Sequence, residues 1–211
     1  PFESHADVGA PSIPGSFECN AATGVCRMTA SGENLWGEKD AFHFAWNRVS
    51  GDLVLECGVE WIGQGKNPHR KAGVMVRETL AADARHAFLA LTPGNGLAFQ
   101  RRTSVGGSSV HTSGGAAAAP RWVRLVRQGG SLSGYASADG AAWTWIGTET
   151  IAMGPVVYAG LAVTSHDNAV LCTAQFDGAA VTAGPDASVA PLVAVASVST
   201  GKPYSLATAQ V

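Results

Sequence analysis

The sequence predicts an all-β protein, a two-sheet antiparallel β-sandwich of jelly-roll type. Three observations predict it. Short runs of alternating apolar and polar residues recur about every 8–12 residues, with turn residues between them. Glycine supplies 26 of 211 residues, and Ala, Ser, Thr and Val fill much of the rest, while the helix formers Glu, Lys and Leu are sparse. No long stretch carries a convincing helical period.

The composition also excludes classes. Apolar residues make up 46 % and charged residues 14 %, against about 25 % charged in an ordinary soluble domain, so the chain is not intrinsically disordered. A net charge of -2 argues against a nucleic-acid partner, because phosphate binding needs a positive surplus. No run reaches the roughly 18 apolar residues of a membrane span. The first residue is Pro1 rather than Met, so the expectation is a processed or trimmed product.

Residues 1–15 read as an extended arm punctuated by Pro and Gly, with a short strand at Phe2–Val8. The stretches Ser16–Cys19 and Cys26–Thr29 flank a turn at Asn20–Gly24, which sets Cys19 opposite Cys26 in a hairpin. Residues 31–37 read as a loop. In residues 41–46 a period of two places Phe42, Phe44 and Trp46 on one face and His43 on the other. Leu53 to Trp61 alternates likewise, with Cys57 on the apolar face and Glu56 and Glu60 opposite. Over residues 71–78, Ala72, Val74 and Val76 share one face, and Lys71, Met75 and Arg77 the other.

Leu80 to Arg85 reads as one helical turn. Strands follow at 86–92 and 97–102, then a Gly/Ser/Ala loop at 106–119. Further strands are expected at 122–127, 132–136, 143–146, 156–165 and 171–176, with a hairpin at Asp139-Gly140. The texture changes near Ala183. The domain reading is one jelly-roll sandwich over residues 1–183, followed by a tail or linker at 184–211 that docks as a strand on the sandwich or on a neighbour.

Four cysteines allow three full pairings. The strand positions favour Cys19–Cys26 and Cys57–Cys172, worth about 2.5 and nearly 5 kcal/mol in the chain-entropy picture. Zinc lacks its Cys-x-x-Cys spacing; free buried thiols are the other alternative. Disulfides imply a secreted or periplasmic protein.

Several stretches resemble a bacterial secreted family with the concanavalin A-like (laminin G-like) jelly roll. They are residues 7–9 (DVG), 32–36 (GENLW), 40–44 (DAFHF), 67–77 (NPHRKAGVMVR), 92–102 (TPGNGLAFQRR), 135–140 (YASADG) with Trp143, and 160–166 (GLAVTSH). Together they span about residues 5–182. The resemblance implies a carbohydrate-binding module of the kind appended to secreted glycosidases and TolB-like β-propeller proteins. The family pattern carries no cysteines at 19 and 26, so this chain is more heavily stapled.

Strand parity then selects a candidate glycan site on the concave face: Lys71, Arg77, His86, Phe88, Gln100 and Arg102, with Trp36 and His43 at the rim. Sugars take planar donors, amides and an apolar ring to stack on. The competing reading pairs Arg77 and Arg102 with Glu78, Glu56 or Glu60 across the sheet. Two other functions compete. One is a structural subunit that uses the arm at 1–15 and the tail at 188–211 to complete a neighbour's sheet. The other is a polysaccharide lyase built on Arg77, Gln100 and His86 with an unplaced Tyr135 or Tyr158. A hydrolase is disfavoured, because Glu56 and Glu60 lie about 13 Å apart along one strand, beyond the usual carboxylate spacing. The sequence identifies no cofactor with certainty. Calcium is the candidate cation, with Asp7, Asp40, Asp167 and Asp177 as its possible ligands.

Overall fold

The computed structural model describes residues 2–61, 65 and 67–184. Numbered in chain order, its strands form two seven-stranded antiparallel sheets among the described residues. Sheet A runs β1 (Ser4–Val8), β6 (Phe42–Ser50), β15 (Val156–Thr164), β8 (Lys71–Arg77), β9 (His86–Thr92), β10 (Gly96–Arg102) and β11 (Val110–Ser113). Sheet B runs β14 (Thr144–Thr150), β13 (Ser131–Ser137), β12 (Arg121–Gln128), β7 (Leu53–Trp61), β16 (Asp167–Ala183), β3 (Cys26–Gly32) and β2 (Ser16–Cys19). A small hairpin, β4 (Leu35–Trp36) and β5 (Lys39–Asp40), stands apart from both. This is the expected jelly-roll sandwich, and its mixing of distant strands within each sheet is what two Greek-key connections produce.

Alternation decides what fills the middle. The inward residues Val74, Val76, Leu89 and Phe99 of sheet A pack against Leu53, Leu55, Val123 and Leu125 of sheet B. Sheet A is unusual in burying its other face too. There Phe42, Phe44, Trp46, Met75 and Phe88 form a second apolar cluster under Leu35. Phe44 stacks on Trp46 with ring centroids 5.5 Å apart. Burial on both faces explains why β8, β9 and β10 are buried along their whole length. Gly73 and Gly160 sit where strand backbones approach so closely that a Cβ would collide with the carbonyls of Leu89 and Ala45.

Three local expectations need correction. The segment at 80–85 is an irregular turn closed by the Ala84 N–H on the Ala81 carbonyl, 3.1 Å, and not a helical turn. The loop expected at 106–119 contains the edge strand β11. The loop at 31–37 contributes β4. The N-terminal arm adds to its own sheet, with Ser4 to Val8 paired to Trp46 through Phe42. The tail expected to dock lies, from residue 185 onward, outside the described residues.

Cys19 and Cys26 are joined in the expected disulfide between paired positions of β2 and β3. The second expected bond is absent, since Cys57 and Cys172 are free buried thiols. Both side chains enter the same core, but at different heights. Gly58, beside Cys57, is level with Asp177 on β16. That leaves Cys172 roughly five residues further along, about 16 Å at strand rise, well outside the reach of a disulfide. Burial raises both thiol pKa values, that of Cys172 to about 12.

Candidate functional site

The outer face of sheet A can be followed row by row across the strands. One row is Arg77, His86 and Arg102; the next is Met75, Phe88, Gln100 and His111; the next is Gly73, Ala90, Ala98 and Ser113. Lys71 and Thr92 lie beyond that at the same end of the sheet. The expected parity is therefore present. Its two ends have different fates.

The arginine end is sealed. The β4–β5 hairpin folds over it, and Asp40 descends between the guanidiniums. Arg102 Nη2 lies 2.7 Å from Asp40 Oδ1, and Arg77 Nη1 lies 3.5 Å from Oδ2, all three side chains fully buried. Arg102 also donates to the carbonyls of Gly37 and Gly107, at 2.9 and 3.0 Å. Arg77 donates to the carbonyl of Thr79, 2.7 Å. His86 stands beside them with Nδ1 3.6 Å from Asp40 Oδ2. Its Nε2 is buried without a partner among the described residues. Burial, outweighing the pull of Asp40, brings the His86 pKa down to about 4.

Arg77, His86 and Arg102 are thus removed from the ligand-facing set, and so is Phe88, which is fully buried in the second apolar cluster. The acid that pairs the arginines is Asp40 rather than any of the three glutamates. Glu78 pairs with Arg85, Glu56 with Arg124, and Glu60 accepts from Gln175.

His43 is also misplaced by the sequence reading. It shares the inward side of β6 with Ala45 and is 2 % exposed. Its Nδ1 is bonded to Asp7, 2.7 Å, and its Nε2 to His5, 3.0 Å. Burial lowers its pKa against the opposing pull of Asp7. The strand alternation was right; the rim placement was not.

The other end is open. A cleft of about 350 Å³ lies there, lined by the remaining expected residues Trp36, Lys71 and Gln100, together with Thr92 and Ala98. The space exists because the row through Ala90 and Ala98 carries no bulky side chain to fill it. Trp36, at the tip of the hairpin, is 40 % exposed and forms one wall. Lys71 Nζ donates to Asn34 Oδ1, 2.7 Å, and to the Leu35 carbonyl, 2.9 Å, and lies 6.0 Å from the centre of the Trp36 ring. Burial, partly offset by Asp40, lowers the Lys71 pKa to about 8. Gln100 is 7 % exposed, and its Oε1 is buried with no partner among the described residues.

Sequence reasoning missed the other walls. With Asn34 of the hairpin segment, His69, Asn95, His111 and His166 complete the lining. His69 and His166 approach each other with ring centroids 5.4 Å apart. His166 has φ of 57°, a left-handed conformation sparsely used by non-glycine residues, at the turn between β15 and β16. A signal for four of these residues was present, since Asn34, His69, Asn95 and His166 sit inside the stretches that carry the family resemblance. His111 was hidden by the unrecognised strand β11.

Among the described residues no group of three or more His, Cys, Asp or Glu is placed to hold a metal ion. Of the acids considered for calcium, Asp7 is taken by His43 and the Gly15 N–H, and Asp40 by the arginines. Neither tyrosine expected for a lyase lines the cleft. Tyr158 packs edge-on against Trp46, and Tyr135 lies on β13 of the other sheet. No helix among the described residues is long and apolar enough to cross a membrane.

Fold and cleft define a jelly-roll β-sandwich with a ligand-sized hollow on the outer face of one sheet. The chain is similar to a functionally unknown protein from Saccharomyces cerevisiae, with a TM-score of 0.62 and 16 % identity over 81 % of this chain and 96 % of that one. It is similar to the carbohydrate-binding module CBM66 from Bacillus subtilis, with a TM-score of 0.57 and 11 % identity over 85 % and 96 % of the two chains. It is also similar to the alginate lyase from Corynebacterium sp., at 0.53 and 12 % over 84 % and 92 %. At these identities the likeness establishes the shared fold. No family model and no curated protein matches the chain.

Proposed function

We propose that the protein is a carbohydrate-binding module whose ligand lies in the cleft between Trp36 and Gln100. The observation that carries this reading is the buried Oε1 of Gln100, without a partner among the described residues, at the floor of an open hollow walled by an exposed indole. A buried amide without a partner is disfavoured by about 1–3 kcal/mol, so a ligand that supplies the missing partner recovers that energy. A pyranose or furanose ring fits. Its hydroxyls both donate and accept, and its C–H face packs on an aromatic ring. The carbohydrate-binding module and the alginate lyase of the same fold lend the reading support by analogy only. The Cys19–Cys26 bond supports an oxidising compartment, outside the cytosol.

A glycan array with the whole chain tests it, followed by calorimetry on any hit. Trp36→Ala and Gln100→Ala are each expected to weaken binding by about tenfold or more, in keeping with 1–3 kcal/mol per removed partner. Both variants must keep the wild-type melting behaviour. Unchanged affinity in both variants would remove the site, and an array without hits would remove the function.

A further inference from the structure

Alongside the acceptor Gln100 Oε1, the cleft presents several hydrogen-bond donors. Asn67 Nδ2 donates to the carbonyl of His166, 3.0 Å, and lies 3.3 Å from that ring's Nδ1. Asn95 Nδ2 lies 3.4 Å from the Pro68 carbonyl and 3.0 Å from His69 Nδ1. A carbonyl accepts only, so each carboxamide must present its NH₂ group on that side. Each Nδ1 is then an acceptor, and the ring proton of the neutral imidazole resides on Nε2. His69 and His166 thus keep Nε2–H groups as donors in the lining of the cleft. The ammonium of Lys71 spends two of its three hydrogens on Asn34 and Leu35, which leaves a third.

The charge distribution agrees. The described lining of the cleft contains no carboxylate. Burial is the main reason that the pKa values of His111 and His166 are lowered; Arg101 and Lys71 add to it at His111, and Lys71 adds to it at His166. The acids that act on these groups are Asp40 and Glu33. Asp40 is already shared by two buried guanidiniums, one of which also feels Asp83, so its charge is largely spent within that cluster. Glu33 lines a neighbouring groove that shares Asn34, Trp36 and His166 with the cleft. A positive, donor-rich hollow on a chain of net charge -2 is a local arrangement and not a reflection of overall composition.

We infer that the cleft selects an acidic sugar, whose anionic substituent accepts hydrogen bonds from Lys71 and the imidazoles while its ring packs on Trp36. This deepens the proposed function and rests on it. A uronate carboxylate and a sulfate ester share the required chemistry, as both are anionic and accept without donating.

Calorimetry on the whole chain tests the inference with three sets of oligosaccharides matched in length: oligogalacturonides, sulfated galactan fragments and neutral xylo-oligosaccharides. One acidic set is expected to bind at least tenfold more tightly than the neutral set, and which one does so identifies the substituent. Raised salt is expected to reduce that preference. Lys71→Gln should abolish it and Lys71→Arg should retain part of it. Because Lys71 also supports the hairpin, the exposed His111→Glu provides a second variant, expected to weaken acidic ligands at least fivefold while sparing neutral ones. Equal affinity for neutral and acidic sugars overturns the inference and leaves the carbohydrate-binding reading standing, as does an acidic preference that survives both Lys71→Gln and His111→Glu. Failure of all three sets to bind the folded chain overturns both.

Discussion

Arg102 meets Asp40 through both of its terminal nitrogens, Nη2 to Oδ1 at 2.7 Å and Nη1 to Oδ2 at 2.8 Å, with neither side chain reaching solvent. The pair joins the floor of sheet A to the hairpin that closes over it. Two charges taken out of water are stable only while each compensates the other. Here one carboxylate serves two guanidiniums, and backbone carbonyls take most of the remaining N–H groups.

Removing the shared acid should therefore be severe. Asp40→Ala leaves Arg77 and Arg102 buried without a counter-charge and is expected to lower stability by about 3–5 kcal/mol. The midpoint of urea unfolding measures this. Asp40→Asn, which retains acceptor geometry without charge, should fall between the variant and the wild type. A loss below about 1 kcal/mol for Asp40→Ala would contradict the buried-pair account.

His86 gives the fold an acid sensitivity. Its pKa is about 4 in the folded chain against 6.5 when free, from burial and from Arg77 and Arg102, with Asp40 pulling the other way. The unfolded chain therefore binds the proton more readily. The stability that goes with neutral His86 is complete above about pH 6.5 and is lost as the pH falls towards 4, by on the order of 3 kcal/mol. Urea unfolding of the wild type and His86→Gln at about pH 7 and about pH 4.5 isolates this share. The variant should show the shallower pH dependence, whatever its stability at neutral pH.

The fold was legible because a period of two repeats in almost every strand and fixes which side faces the partner sheet. The site was only half legible. Parity correctly placed Lys71, Gln100 and Arg102 on one face, but no pattern in the chain announces that residues 34–41 fold back over one end of it. Contact between Asp40 and Arg102 joins residues 62 positions apart, and such closures follow from packing rather than from local periodicity. The Cys57 error has a similar origin. Both cysteines point into the core as alternation requires, yet their relative height depends on the register of β7 against β16 and its irregularity between Asp177 and Ala180.

The thiols offer a direct check. Cys57 and Cys172 are buried and their pKa values are raised, so both should resist a thiol reagent in the native protein. Two equivalents should react once denaturant is added without reductant, with Cys19 and Cys26 remaining protected as a disulfide. Cys19→Ser together with Cys26→Ser should reduce stability by about 2.5 kcal/mol, the loop-closure contribution of a short ring.

The imidazole tautomers can be observed without any ligand. Nitrogen NMR of the two rings should show His69 and His166 carrying the proton on Nε2, as the hydrogen bonds from Asn95 and Asn67 require. Asn67→Asp replaces the donor with an acceptor and should move the His166 proton to Nδ1. An Nδ1–H signal for His166 in the wild type would contradict the bonding described.

Ligand binding should also weaken in alkaline solution. The Lys71 pKa of about 8 means that its ammonium is neutralised over a range in which an ordinary lysine stays charged. Affinity for an acidic oligosaccharide is expected to decline as the pH rises through about 8, and Lys71→Arg should shift the decline to higher pH. Asp40 acts on the amine, and the neighbouring imidazoles of His111 and His166 have pKa values lowered below 6.5, so these rings stay neutral in that interval.

The anchoring of the β4–β5 hairpin separates two tasks within one short segment. Asp40 and the Gly37 carbonyl, which accepts from Arg102 and Ser109, are gripped from below. Trp36 and Asn34, on the same segment, face the cleft. The anchored positions tolerate little change, whereas the cleft-facing residues beside them are free to diversify. Exchanging Asn34 and Trp36 while Leu35, Gly37 and Asp40 are kept offers a route to new specificities on an unaltered scaffold, much as exchangeable loops do in engineered binders.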